Sequence, residues 1–90
     1  MFSQSGGGNA MHSGPIRIWG AIELAKTERR VALTNMCVEL QRELIEHLSQ
    51  AGDDIGSAKI IFDSLLVSLG LLVAHRQRLR EVVNAQAVAA

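Results

Sequence analysis

The histidines and carboxylates are the first residues of this sequence that could do chemistry. Glu43 and His47 are four positions apart, so on a helix they would lie one turn apart and could offer two ligands to a metal ion. A metal site between helices needs further ligands from other segments, and the second helical segment supplies only His75 and Asp63. We therefore interpret Glu43 and His47 as a solvent-exposed helical pair, and we expect no metal and no cofactor.

His75 and Cys37 are the other residues of a reactive type. His75 falls on a core position of a heptad, where it could act as a pH-sensitive or phosphorylatable group. A histidine at the edge of a core that hydrogen-bonds a neighbour explains it better. Cys37 is the single cysteine, has no basic residue three or four positions away to activate its thiol, and is interpreted as a small core residue.

Motifs for catalysis are missing from the sequence. It contains no Ser/His/Asp order, no phosphate-binding loop and no paired cysteines, so we expect no enzymatic activity. One cysteine cannot form an intramolecular disulfide, which fits a reducing, cytoplasmic location.

Basic residues recur in two clusters that an antiparallel arrangement of helices would bring to the same end of the molecule. A possible basic patch for nucleic acid therefore consists of Lys26, Arg29, Arg30, Arg76 and Arg80. Nine basic and nine acidic residues cancel, and Trp19 is the one aromatic residue near that end. Nucleic-acid binding is therefore the alternative function and not the preferred one, and we interpret Trp19 as an anchor of the hairpin's open end.

Composition predicts an all-α protein. The chain is 48% hydrophobic but only 3% aromatic, which favours the aliphatic packing of helices over a β-sandwich. Residues 1–14 are Gly/Ser-rich and uncharged, which predicts a disordered tail. Pro15 suits the first turn of a helix over about 15–50, although Thr27 could cap a separate second helix.

The sequence Ala-Gly-Asp-Asp at residues 51–54 predicts a tight turn. Gly52 can take the left-handed conformation that ends a helix, and Asp53 or Asp54 can cap the next one. A second helix then covers about 55–84, with a frayed C-terminus at 85–90. Because so short a turn makes its two helices antiparallel, residues 15–84 are predicted to form a helical hairpin.

Apolar periodicity gives each helix a stripe, and gives the second helix more than one. The helix 1 stripe is Ile18, Ile22, Ala25, Ala32, Met36, Leu40, Leu44 and Leu48. The helix 2 heptad is Ala58, Ile61, Leu65, Ser68, Leu72, His75, Leu79 and Val82. A second stripe beside it consists of Phe62, Leu66, Leu69 and Val73. Helix 2 therefore has more apolar surface than helix 1 can cover.

A second copy of the chain is the simplest cover for that surplus, since two hairpins face to face make a four-helix bundle. The predicted self-association interface is Phe62, Leu65, Leu66, Leu69, Leu72 and Val73. Small residues near the middle of helix 2, among them Ser64, Ser68 and Gly70, would allow close approach. The uncharged run at 64–74 has eleven residues, too few to span a bilayer, so we expect no membrane association.

The segment "ELQRELIEHLSQAGDDIGSAKIIFDSLLVSLGLLVAHRQRL", residues 39–79, resembles a group of short uncharacterised bacterial proteins. In that group a "QRELI…L…G-D" helix end precedes an "A…F…L…H…R-L" second helix. The resemblance implies a two-helix hairpin and carries no assigned activity. We therefore expect a non-enzymatic, cytoplasmic helical module that forms a homodimer, with a different protein as a possible partner for helix 2.

Overall fold

The computed structural model describes the backbone of residues 8–89 and the side chains of residues 18–88. It contains two helices, α1 (Gly8–Gln50) and α2 (Gly56–Ala89), packed against each other. The predicted all-α hairpin is confirmed, and no strand occurs within residues 8–89. The molecule measures 68 × 30 × 14 Å. Residues 8–89 form a single layer of two helices, and no third element within that range covers either face.

Both helices are longer than the sequence predicted. α1 begins at Gly8 rather than near Pro15, so only residues 1–7 of the predicted tail lie outside the described residues. It runs through Thr27 without a break, and Thr27 is only 1% exposed. α2 reaches Ala89 instead of ending near residue 84, because the alanine-rich end of the chain has high helix propensity.

The turn between the helices has the predicted chemistry. Gly52 has a φ of +78°, the left-handed conformation that favours glycine. The amides of Gly52 and Asp53 donate to the carbonyl oxygens of Ser49 (3.1 Å) and Leu48 (2.9 Å), a Schellman motif that ends α1. The Asp54 carboxylate accepts a hydrogen bond from the Gly56 amide at 2.9 Å and so caps α2.

The seam between the helices follows heptad spacing on both helices. On α1 its buried or half-buried residues are Leu24, Thr27, Val31, Thr34, Val38, Gln41, Ile45 and Leu48. On the other side of the seam they are Ile55, which precedes α2, and the α2 residues Ala58, Phe62, Leu65, Leu69, Leu72, Arg76, Leu79 and Val83. Every second seam position of α1 from Thr27 to Gln41 is polar. The Gln41 side-chain amide donates to the Ala58 carbonyl at 3.0 Å. The seam is therefore narrow and partly polar.

The prediction that the apolar stripe of helix 1 faces the core was wrong. Ile18, Ile22, Met36 and Leu40 are 49–63% exposed, and of the named stripe only Leu48 is half-buried. α1 carries two apolar lines on opposite sides, and the seam uses the line with the smaller, partly polar side chains. Small side chains let the backbones approach, which a periodicity count weighted to large residues does not detect.

The predicted heptad of helix 2 was half right. Ala58, Leu65, Leu72 and Leu79 lie in the seam as expected. The alternating positions were wrong: Ile61, Ser68 and Val82 are exposed, while Phe62, Leu69 and Val83 take their places in the seam. His75 is half-buried beside the seam. The residues first assigned to a second stripe thus serve in part to hold the hairpin itself together.

Candidate self-association surface

Large apolar side chains remain exposed on both helices, because two helices in one layer bury little. Within residues 18–88, the buried hydrophobic residues are Val31, Val38, Ala58 and Leu79.

One flank of the seam contains an ion pair between the two helices. Arg80 Nη2 lies 3.1 Å from Glu28 Oε2, joining the two helices. Farther toward the open end, Ala21 and Ala87 line the same shallow cavity. These contacts show which sides of α1 and α2 meet on this flank, and the heptad spacing then fixes the residues of the opposite flank.

The opposite flank is apolar over its middle and turn-proximal parts; we call it the apolar flank. It consists of Leu33, Cys37, Leu40 and Leu44 on α1, with Ile61, Ser64, Ser68 and Leu71 on α2, all exposed. Leu33 and Leu40 are 60% and 63% exposed, and Leu71 is 68% exposed. The side chains of Ser64 and Ser68 are small and project little from α2, so another backbone could approach the middle of this flank closely. It is an apolar face that the described part of the hairpin leaves unpaired along both helices.

The interface residues predicted from sequence separate into two groups in the hairpin. Phe62, Leu65, Leu69 and Leu72 are half-buried in the seam. Leu66 (41% exposed) and Val73 (38% exposed) lie on the flank that carries the Glu28–Arg80 pair. Their role in self-association stays a prediction, but the apolar flank offers a second copy more open apolar surface. The signal that points to it is the spacing of Leu33, Leu40 and Ile61 outside both seam heptads.

The five residues of the predicted basic patch lie along the middle of the hairpin and not at its end. This follows from the early start of α1, which places Lys26 18 residues into the helix. Lys26 Nζ lies 3.4 Å from Glu23 Oε2, and Arg80 is paired with Glu28. Arg76 is half-buried; Arg29 and Arg30 are exposed. Acidic neighbours therefore offset part of the positive charge that a phosphate backbone would need.

The residues considered for other chemistry are dispersed. Cys37 is exposed, so its assignment to the core was wrong. Trp19 is 56% exposed, and its role as an anchor of the hairpin's open end stays a prediction. Glu43 and His47 are both exposed. Among the described residues no group of three or more His, Cys, Asp or Glu side chains is close enough to hold a metal ion.

α2 is long and apolar enough to cross a bilayer by length and composition. The span Gly56–Val88 contains an 18-residue window with mean hydropathy 1.8, of which only 6% is buried in the hairpin. The uncharged run 64–74 is shorter than such a window, which also admits charged residues such as Lys59 and Asp63, whose Nζ and Oδ1 atoms are 3.9 Å apart. One such helix is weak evidence, since core helices of soluble proteins pass the same test.

No family model, curated protein or solved structure matches this chain. The fold and its exposed surfaces define the class of the protein as a two-helix antiparallel hairpin. The resemblance to short bacterial proteins stays a prediction.

Proposed function

We propose that this protein is a non-enzymatic helical interaction module that acts in the cytoplasm as a homodimer, two hairpins forming a four-helix bundle across their apolar flanks. The observation that carries the proposal is the apolar flank itself, where Leu33, Leu40 and Leu71 are each at least 60% exposed on a hairpin with a narrow seam. Burying such side chains stabilises a protein by about 1.5–3 kcal/mol each.

The proposal also follows from the size of the core. Among residues 18–88 only the hydrophobic side chains of Val31, Val38, Ala58 and Leu79 are buried, and the single Cys37 offers no disulfide within the chain. A second hairpin would bury the apolar flank in the core of a four-helix bundle.

Light scattering on a size-exclusion column tests the proposal, using the full chain without detergent. We expect a dimer. The variant Leu40→Glu plus Leu71→Glu places two charges on the apolar flank and should give a monomer with reduced far-UV helicity. The matched control, Ile18→Glu plus Val67→Glu, changes residues of equal exposure off that flank (63% and 65%) and should remain dimeric.

Four results would refute the proposal. They are a monomeric wild type, an unchanged dimer in the Leu40→Glu plus Leu71→Glu variant, equal dissociation of the control, and flotation of the wild type with neutral phosphatidylcholine vesicles. Flotation would show that lipid covers α2, and a monomer that becomes stable only when a different protein is co-expressed would show a hetero-partner.

A further inference from the structure

The charges of the hairpin are separated along its length. In the open half, residues 18–34 and 73–88, six basic side chains face three acidic ones, a net charge of +3. In the turn half, residues 35–72, six acidic side chains face two basic ones, a net charge of −4. The boundary falls at the same level on both helices, between Arg30 and Glu39 on α1 and between Asp63 and Arg76 on α2.

The apolar flank is centred close to this boundary. On α1 it extends from Leu33 to Leu44, and the same line of side chains continues toward the open end as Arg30, Lys26 and Trp19, which are exposed. Its midpoint lies near residue 38, next to the exposed Cys37. Consider a twofold axis that passes through this point, lies in the plane of the apolar flank and is perpendicular to the helices. A rotation of 180° about this axis lays the apolar flank of one copy onto that of another.

We infer that the second copy docks on the apolar flank head to tail, with its acidic turn half against the basic open half of the first copy and the twofold axis beside Cys37. This inference rests on the proposed function. In this orientation Arg30 of one copy lies at the level of Glu46 of the other. Each open half, with a charge of +3, faces the turn half of the other copy, with a charge of −4. A turn-to-turn dimer would instead bring +3 against +3 and −4 against −4. Unlike charges within about one Debye length, 10 Å at 0.1 M salt, favour the head-to-tail orientation.

Distances between spin labels measured by double electron–electron resonance test the orientation. A label on the native Cys37 lies about one residue from the centre, so the two labels of a dimer should be about 20 Å apart or closer in either orientation. In a Cys37→Ser background, Ser49→Cys places the label 11 residues from the centre. The two labels should then be separated by about 33 Å along the axis in a head-to-tail dimer.

The outcomes distinguish the two proposals. Short Cys37 distances with long Ser49→Cys distances support the head-to-tail dimer. Short distances at both sites overturn it while leaving self-association intact. Absence of dipolar coupling at both sites, at protein concentrations where light scattering is measured, refutes self-association itself.

Charge reversal gives a second test whose sign depends on orientation. The variant Arg29→Glu plus Arg30→Glu removes the positive charge of the open half, and both side chains are exposed in the hairpin. At about 50 mM salt the dissociation constant of a head-to-tail dimer should rise about tenfold, and the effect should fade by about 0.5 M salt. A tighter dimer in this variant would overturn the inference, because only like-charged halves gain from the reversal.

Discussion

Two glycines should respond to the same substitution with opposite signs. A Cβ atom built on Gly52 or on Gly70 meets no atom within 4 Å, so neither change to alanine causes a clash. Gly52 has a φ of +78°, where an alanine costs about 1–2 kcal/mol. Gly70 lies inside α2, where an alanine gains about 0.5–1 kcal/mol. The free energies of unfolding of the two variants should therefore differ by about 1.5–3 kcal/mol.

Urea unfolding followed by far-UV circular dichroism measures this difference, with all variants at one protein concentration because dimer stability depends on it. Thermal unfolding should agree, with each kcal/mol moving the midpoint by about 4–8 °C in a chain of this size. Stabilisation by Gly52→Ala would refute the assignment of the turn. Destabilisation by Gly70→Ala would mean that a second copy contacts Gly70, which lies off the apolar flank, and would move the proposed interface to the other side of the seam.

Three further substitutions test the turn, the seam and the two kinds of leucine on α2. Asp54→Ala removes the cap of α2 and should lower the free energy of unfolding by about 0.5–2 kcal/mol in urea titration; no change would show that the cap is dispensable. Leu79→Ala, at a site 4% exposed, should cost about 2–3 kcal/mol in the same titration, and a cost below about 1 kcal/mol would contradict its place in the core. Leu69→Glu should abolish helicity by circular dichroism because Leu69 lies in the seam, whereas Leu71→Glu should mainly weaken dimerisation; equal loss of helicity would refute that division.

Local chemistry made part of this fold readable from the sequence. The glycine at position 52 and the aspartate at 54 specify the end of one helix and the start of the next through single-residue backbone and side-chain properties. The positions Ala58, Leu65, Leu72 and Leu79 followed from spacing alone. These features depend on residues within a few positions of each other, so they can be predicted from the sequence without the tertiary structure.

The choice between competing apolar lines depended on the tertiary structure. α1 carries large residues such as Ile22 and Leu40 on one side and small or polar ones such as Thr27 and Val31 on the other, and periodicity favoured the large ones. Small side chains allow two helix backbones to approach closely, and this stabilises the structure only when the partner helix is packed against them. The exposure of Cys37, the position of the basic residues midway along the hairpin and the identity of the apolar flank all follow from which side of α1 turned inward. The sequence by itself therefore determined the hairpin and its turn, and only the packing of the helices decided which surface is left for a partner.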